Sequence, residues 1–305
     1  MALAHADGLK ELLAEVRRIE LQSQRLVTDV MSGGYRSVFR GSGIEFDEVR
    51  EYAEGDDPRC MDWAVSARMG RPFVRKYTEE RELSIVFLLD LTPSMEGGFG
   101  AWSLRGAAAR VAACLALAAV RNSDKVGLIA FGSAVERFVP PRKGARHALS
   151  LVRDCLALPS SGPGRGLTPA LEFAGRALRR RAVIFLLSDF LEPGDWQGSL
   201  TSCARRHDLV AVRLMGQEWP SMPTGMMRLR DPESGRVRVV DGSHPQARLE
   251  YSRRVRVGQE AVEESLRRAR VDRMDVQIPR VRSRNSVAGP ILEFFRMREI
   301  RGSKR

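Results

Sequence analysis

The chain of 305 residues lacks the features that mark membrane, secreted and zinc-binding proteins. No run approaches the ~18 consecutive apolar residues that a membrane span needs, and the N-terminus has no basic patch followed by an apolar core, as a secretory signal would. The cysteines (Cys60, Cys114, Cys155 and Cys203) lie far apart without a CxxC pair, which argues against a zinc site or a disulfide framework. We therefore expect a cytoplasmic protein with inert thiols, associated with a membrane only through a partner.

Acidic residues are in the minority, and the imbalance is uneven along the chain. The formal net charge is +12, and residues 205–305 carry ten more basic than acidic side chains. Such an excess permits contact with nucleic acid, an acidic partner or anionic lipid. The basic residues are nearly all arginine and form no dense block interleaved with aromatic residues, so the sequence does not favour nucleic-acid binding.

The first 81 residues contain two segments of different character. Leu9–Val30 repeats apolar residues at helical spacing, which predicts an amphipathic helix within residues 1–32 that either docks on the rest of the protein or binds a partner. Residues 33–81 are rich in turns and in aromatic residues, which predicts a compact segment of short strands and turns.

A charged cluster in this second segment has two interpretations. It forms either a buried charge network that locks the segment to the main domain or a recognition surface. The neighbouring Tyr52 and Trp63 suggest packing, which favours the structural interpretation. The residues of the cluster are Asp56, Asp57, Arg59, Asp62 and Arg68.

From residue 82 onwards, predicted strands alternate with predicted helices. Continuous apolar runs, typical of strands covered on both faces, span residues 84–89, 126–131, 182–187 and 209–214. Helical patterns span residues 101–121, 146–158, 169–180, 199–206, 259–270 and 290–297. The alternation predicts an α/β fold with a doubly wound, mainly parallel sheet over residues 82–282, followed by a C-terminal helix and tail over residues 283–305.

Weaker patterns complete this prediction. Residues 135–139 read as a short edge strand ended by Pro140 and Pro141. Residues 227–240 read as a hairpin, and residues 274–278 as a last strand.

Oxygen-bearing side chains follow the predicted strands where a parallel α/β sheet binds ligands, beyond the carboxyl ends of its strands. Asp90, Thr92 and Ser94 follow the first strand, Thr168 lies in the loop before a helix, and Asp189 follows the third strand. Hard oxygen ligands suit Mg²⁺. The five residues therefore predict a divalent-cation site.

Each of these residues also has a purely structural interpretation. Thr168 before Pro169 has the pattern of a helix N-cap, and Ser94 would equally cap the next helix. Asp189 would accept backbone amides in a turn. What favours the metal site is that all of them occur together, each at the expected strand end.

The pattern Asp90-x-Thr92-x-Ser94, followed by Thr168 and Asp189, resembles the metal-ion-dependent adhesion site of von Willebrand factor A domains, in which Asp-x-Ser-x-Ser precedes a later Thr and Asp. Thr92 stands where that family has its first serine, which keeps the hydroxyl and adds a methyl group. The resemblance implies a Rossmann-type fold and a site for Mg²⁺, with Mn²⁺ or Ca²⁺ as alternatives.

Upstream motifs narrow the resemblance to the DUF58 family, bacterial proteins with a von Willebrand A-like domain often found beside MoxR-type AAA+ ATPases. The motifs are GSGIEFDEVREY at 41–52, GDDPR at 55–59, DW at 62–63, SAR at 66–68 and the closing FFxxR at 294–298. Many members have membrane helices near the N-terminus, so this chain resembles the soluble variants.

The resemblance implies a protein-interaction module, not an enzyme. Hydroxyl ligands leave the cation incompletely neutralised, so that an open position can accept an Asp or Glu of a protein ligand. A MoxR-type ATPase is the implied partner, with this chain as an adaptor or chaperone-like component.

Two alternatives compete with the interpretation as a protein-interaction module. A phosphotransfer enzyme of the haloacid dehalogenase type would also place Asp90 after the first strand, but it needs a second Asp where Thr92 stands, and a downstream lysine, for which only Lys125 and Lys143 are available in the central domain. A dinucleotide site is less favoured, because the glycines at 97–100 lack the GxGxxG order. None of the four histidines stands in a catalytic relation to a Ser or Cys.

Overall fold

The computed structural model describes residues 14, 17, 45–53, 56–78, 82–98, 100–162, 164–192, 194–216, 222–232, 234–281 and 287–302. The predicted helix Leu9–Val30 lies outside these residues, apart from Ala14 and Arg17, which are helical. One compact unit spans residues 39–83, and a second contains residues 84–305. Each is described by itself below.

Strands and helices alternate through the larger unit. The strands of the described residues in both units are β1 (Glu45–Glu51), β2 (Phe73–Thr78), β3 (Ser84–Asp90), β4 (Lys125–Phe131), β5 (Val135–Arg142), β6 (Val183–Ser188), β7 (Asp208–Met215), β8 (Met226–Arg230), β9 (Val237–Asp241) and β10 (Asp272–Gln277). The helices are α1 (Trp63–Met69), α2 (Leu104–Arg121), α3 (Ala145–Ala157), α4 (Leu167–Ala177), α5 (Gln197–Arg206), α6 (Pro245–Arg268) and α7 (Ala288–Gly302). Within the described residues, no helix is both long and apolar enough to cross a bilayer.

The larger unit is built on a six-stranded sheet in the order β10-β7-β6-β3-β4-β5. All neighbouring strands pair in parallel except β4 and β5, which are antiparallel. The chain starts in the middle of the sheet at β3 and later returns to its other side at β6. The predicted doubly wound, mainly parallel sheet is therefore confirmed.

The centre of the sheet is apolar on both faces, as the continuous apolar runs predict. Every residue from Ile85 to Asp90 is buried. Because successive side chains of a strand point to opposite faces, Val86 and Leu88 join one core cluster together with buried residues of α4, α5 and α6. The rings of Phe87 and Phe185 stack between neighbouring strands, 6.1 Å apart.

Helix α2, predicted over residues 101–121, is rich in alanine and is largely buried. The hydroxyl of Ser103 accepts a hydrogen bond from the Gly106 amide and caps its first turn. Its small side chains allow close packing, and Ala113 contacts Val152 of α3 in a second buried cluster.

Elements β5 and α6 are among those that extend beyond their predicted bounds. β5 continues through Pro140 and Pro141 to Arg142, because an edge strand needs no amide on its outer side. Helix α6 begins at Pro245, well before the predicted start at residue 259. Its first half is mostly exposed and arginine-rich, and thus lacks the apolar periodicity on which the prediction rested.

The smaller unit is an antiparallel β1–β2 pair with α1 between the strands. Its acidic residues serve local structure: Asp62 caps α1 by accepting the amides of Ala64 and Val65, and Asp56 accepts two hydrogen bonds from Arg50 at 2.6 and 2.8 Å. The expectation that Trp63 packs inside is wrong, because this side chain is 71% exposed.

Candidate functional site

The candidate site lies at the carboxyl edge of the central sheet. Asp90 is the last residue of β3, and Ser188 is the last residue of the adjacent strand β6. The hydroxyl of Ser188 donates a 2.6 Å hydrogen bond to Oδ2 of Asp90. This contact joins the first and third predicted segments of the site.

Asp90 is held by neutral groups only. Besides the Ser188 hydroxyl, its Oδ1 accepts the Thr92 amide at 2.8 Å. The residue is only 2% exposed, and it makes no ion pair with any described residue. Burial therefore raises the pKa of Asp90 above its ordinary value, although the hydrogen bonds from Ser188 and Thr92 oppose the shift.

Thr92 and Ser94 bring two hydroxyls together beside this carboxylate. Their oxygens lie 3.1 Å apart, and both residues are buried. Ser94 belongs to a 3₁₀ turn, Pro93–Glu96, so it does not cap the next helix, a role that Ser103 fills. The turn is held by the buried Arg105, which binds Glu96 at 2.5 Å.

The loop that leads to Thr168 is bound to the same edge. The Ser161 amide and the Ser160 hydroxyl donate to the Leu91 carbonyl at 2.9 and 3.1 Å. Gly166 lies so close to the end of β4 that a Cβ at this position would overlap the Gly132 carbonyl. This close approach brings the start of α4 to the sheet edge.

Thr168 reaches the edge as a helical residue, not as an N-cap. Helix α4 begins at Leu167 with Gly166 as its cap, two residues earlier than predicted, so the capping interpretation of Thr168 is wrong. Thr168 is half-buried, and its hydroxyl makes no hydrogen bond to any described residue. It therefore makes no hydrogen bond with the other four described residues of the predicted site.

Asp189 follows Ser188 in a tight turn. Its Oδ1 accepts the Leu191 amide at 3.0 Å, the turn role that its structural interpretation predicts. Phe190 has a φ of 56°, a left-handed conformation that a bulky residue adopts at a cost of about 1–2 kcal/mol. Strain of this kind is concentrated at functional sites.

Glu192 is a member of the site that the sequence analysis missed. Its Oε2 accepts the Leu167 amide at 2.9 Å and so ties the Asp189 loop to α4. Burial raises the pKa of Glu192, and the charge of Asp90 adds to the shift. Its position three residues after Asp189 is the only sequence signal that pointed to it.

The donor set fits a small, hard cation that is bound partly through hydroxyls. Among the described residues, no three His, Cys, Asp or Glu side chains are grouped to hold a metal ion, so carboxylates alone do not suffice. Mg²⁺ holds its ligands at about 2.0–2.1 Å in octahedral geometry, which places neighbouring oxygens about 3 Å apart. The 3.1 Å between the hydroxyl oxygens of Thr92 and Ser94 matches this spacing.

The phosphotransfer alternative is not supported by the placement of the lysines. Lys125 is the first residue of β4 and pairs with Ser84, whereas Asp90 pairs with Phe131 at the other end of the strands. Lys143 follows Arg142, which pairs with Val126. Six residues of strand span about 20 Å, so both lysines lie at the opposite edge from Asp90.

Three of the cysteines and two of the histidines lie in surroundings that serve the fold. Cys114, Cys155 and Cys203 are buried free thiols, and burial raises their pKa to about 12, 12 and 11. His147 Nε2 lies 2.9 Å from the Val126 carbonyl, and His207 Nδ1 accepts the Ala182 amide at 3.3 Å.

Comparison with known proteins gives a family match over most of the chain. A family model described as "Protein of unknown function DUF58" matches residues 48–261. The uncharacterized proteins Rv1480 of Mycobacterium tuberculosis and Mb1516 of Mycobacterium bovis are each 34% identical over 232 residues, which is 75% of this chain and 73% of theirs.

The solved structures share less sequence identity with this chain than the mycobacterial relatives do. An aerotolerance-related membrane protein from Bacteroides fragilis has a TM-score of 0.47 at 16% identity, covering 70% of this chain and 99% of its own. The conserved hypothetical protein BatB from Bacteroides thetaiotaomicron has a TM-score of 0.45 at 17% identity, covering 73% and 100%. The SpRpn10 VWA domain has a TM-score of 0.32 at 14% identity, covering 44% and 77%.

Proposed function

The chain belongs to the DUF58 family, and from this premise we propose that it is a non-enzymatic protein-interaction module that binds a divalent cation at the carboxyl edge of its sheet. Mg²⁺ is the proposed cation, with Mn²⁺ or Ca²⁺ as alternatives. The ligands, direct or through water, would be Asp90, Thr92, Ser94, Thr168 and Asp189.

The observation that carries this proposal is a buried carboxylate that has no basic partner among the described residues and stands beside two hydroxyls. Asp90 is 2% exposed, and the nearby hydroxyls of Thr92 and Ser94 lie 3.1 Å apart. A buried charge is costly unless it is paired or coordinates a metal. A cation at this point would relieve that cost.

The chain's own residues favour binding over catalysis. Thr92, Ser94 and Thr168 are neutral ligands, so a bound cation would keep part of its charge and attract a carboxylate of a partner. Lys125, Lys143, His147 and His207 lie at the opposite edge of the sheet from Asp90, so none of them can act there as a general acid or base. The proposed ligand is therefore a protein that presents an Asp or Glu side chain.

The second part of the proposal concerns the partner. From the family resemblance, we propose that the chain acts as an adaptor or chaperone-like component of a MoxR-type AAA+ ATPase. The measurement is copurification of such an ATPase from the same organism with the tagged chain. Recovery equal to that with an unrelated tagged protein would contradict this part and leave the metal site untouched.

The metal part is tested by thermal unfolding with increasing Mg²⁺, Mn²⁺ or Ca²⁺ after treatment with EDTA. A ligand at 100 times its Kd stabilises the folded state by about 2.7 kcal/mol, so we expect a clear rise in the unfolding midpoint. The variants Asp90→Ala and Thr92→Val should lose this rise, because each removes an oxygen ligand.

Thr201→Val is the matched control. Thr201 lies in α5, where its hydroxyl donates to the Gln197 carbonyl, and its loss should leave the metal-induced rise intact. Equal stabilisation of the native chain and of Asp90→Ala by the same cation would overturn the metal part of the proposal.

A further inference from the structure

A cavity of about 790 Å³ opens beside the proposed metal site. One wall is the loop after β6, residues 189–192 and 194–197, and the other is the middle of helix α6. Asp189 lines this cavity and is also a proposed metal ligand, so the cavity and the proposed metal site adjoin at this residue. A volume of this size holds a short peptide segment or a drug-sized molecule.

The walls of the cavity are largely apolar. Phe190 and Trp196 line it from the loop, with ring centres 5.8 Å apart, and Val255 and Val262 line it from α6. Leu191 also lines it and is 54% exposed. An apolar cavity with an exposed leucine at its border favours an apolar occupant.

One buried polar group on the wall has an unused donor. Arg213 is 5% exposed and lines the cavity. Its Nε and Nη2 donate to Asp275 at 3.0 Å each, and Nη2 also donates to Glu263 at 3.1 Å. Its Nη1 is buried and has no hydrogen-bond partner among the described residues. A buried donor without an acceptor is unfavourable, so this group points to a missing ligand atom.

The charges around Arg213 indicate which kind of hydrogen-bond acceptor would fit its Nη1 donor. Arg273 binds the same two carboxylates, Glu263 at 2.7 Å and Asp275 at 3.1 Å, so two guanidinium groups and two carboxylates balance. The other acidic residues of the wall are Asp189, Glu192 and Asp195, and its other basic residue, Arg254, is paired with Glu250 at 2.7 Å. A further anion would find little net attraction here, and a neutral acceptor such as a peptide carbonyl fits better.

We propose that this cavity is a specificity pocket for the protein ligand, and that it takes a bulky apolar side chain close in sequence to the acidic residue bound at the metal. In this arrangement, Arg213 Nη1 donates to a backbone carbonyl of the same peptide segment. The inference rests on the proposed function, because the acidic residue anchors the segment beside the pocket.

Gly258 offers a variant that fills the pocket. It lies on α6, lines the cavity, and a Cβ at this position would meet no atom within 4 Å. Gly258→Leu should therefore occupy the cavity without disturbing the fold. Gly198→Leu is the matched control, since Gly198 is an exposed residue of α5 with equally open space and does not line the cavity.

The experiment uses a phage library of peptides with one fixed aspartate flanked by three random residues on each side. The library is bound to the full chain in Mg²⁺ and eluted with EDTA. We expect peptides with Leu, Ile, Phe or Trp at one fixed distance from the aspartate to bind about tenfold tighter or more than those with Ala there, as burial of such a side chain implies.

The variants separate this inference from the function on which it rests. Gly258→Leu should keep EDTA-sensitive, aspartate-dependent binding and lose the apolar preference, while Gly198→Leu keeps both. EDTA-sensitive peptides without an apolar preference, or a preference unchanged in Gly258→Leu, would overturn the pocket and leave the metal module intact. No EDTA-eluted peptides at all would overturn both.

Arg213→Lys tests the carbonyl contact with a peptide selected in this way. The substitution retains a positive charge beside Asp275 and Glu263, but it removes the Nη1 donor together with the forked Nε and Nη2 bonds. The urea midpoint of the variant is therefore measured alongside its affinity, and in the folded variant the loss of the Nη1 donor should weaken binding of that peptide about fivefold. Unchanged affinity would remove Arg213 from the proposed contact.

Discussion

Asp90 at the carboxyl edge of the central sheet and two aspartates at its amino edge lie in opposite electrostatic settings. At the amino edge, Asp208 begins β7 and Asp272 begins β10. Arg298 of α7 binds Asp208 at 2.6 Å and Asp272 at 2.7 Å. Burial alone would lower the pKa of Arg298, but the hydrogen bonds and charges of the two aspartates outweigh it and raise the pKa.

At the carboxyl edge, Asp90 is more deeply buried and is bound by a hydroxyl and a backbone amide instead. The arginine-paired aspartates therefore serve the fold, whereas Asp90 is a candidate for a functional role. Carboxylates with a guanidinium partner hold α7 against the sheet, whereas a carboxylate without one costs stability and is expected where a ligand completes the site. Three predictions test whether the two settings differ in their effect on stability.

The largest effect is expected from Arg298→Met. The substitution removes the partner of Asp208 and one of the two arginines that bind Asp272. The Arg298 side chain is only 12% exposed. Removing one member of such a pair typically costs about 3 kcal/mol or more, and urea unfolding would measure it. Binding of Mg²⁺ at the opposite edge should be unchanged.

Arg301→Ala is the control for this prediction. Arg301 also binds Asp272, at 2.9 Å, but is 67% exposed, and exposed pairs contribute about 0–1 kcal/mol. A similar loss in both variants would mean that the amino edge does not depend on the buried position of Arg298.

An intermediate effect, of opposite sign at the two edges, is expected from replacing aspartate by asparagine. In EDTA, Asp90→Asn should stabilise the chain by about 1 kcal/mol, because it removes a buried charge and retains an acceptor for the Thr92 amide, while the Ser188 hydroxyl turns to accept from the new NH2 group. Asp208→Asn should destabilise it by about 2 kcal/mol, because Arg298 loses a charged partner. Urea unfolding of the two variants side by side measures both. Destabilisation of equal size would show that the edges do not differ in this way.

The fold was predictable because its central strands are continuous apolar runs. Residues 84–89 and 182–187 gave the positions of β3 and β6 to within one residue, since both faces of these strands are covered. The start of α6 at Pro245 was not predictable from periodicity, because exposed residues on a helix need no apolar repeat.

The candidate site was predictable only in part. The strand-end rule placed Asp90 and Asp189 at one edge, because it depends on topology alone. The role of Glu192 depends on a contact with Leu167, 25 residues away. The pairing of the Ser188 hydroxyl with Asp90 spans 98 residues. Contacts of this range follow from the packing of loops and have no local sequence pattern.

The smallest effect concerns pH and belongs to the amino edge through His207, which ends α5 and directly precedes Asp208. Burial lowers the pKa of His207, and the charges of Arg206 and Arg181 lower it further. In the unfolded chain its pKa is about 6.5, so below that pH the unfolded state binds a proton that the folded state does not. Stability should therefore fall as the pH falls, by at most about 1 kcal/mol between pH 7 and pH 5.5.

The measurement is urea unfolding at these two pH values for the native chain and for His207→Asn, which retains an acceptor near the Ala182 amide but does not titrate. The variant should lose less stability than the native chain over this range, and the difference between the two losses is the contribution of His207. If His207→Asn retains the full pH dependence, the loss of stability in acid comes from groups other than this histidine, and the amino edge is not the pH-sensitive side of the sheet.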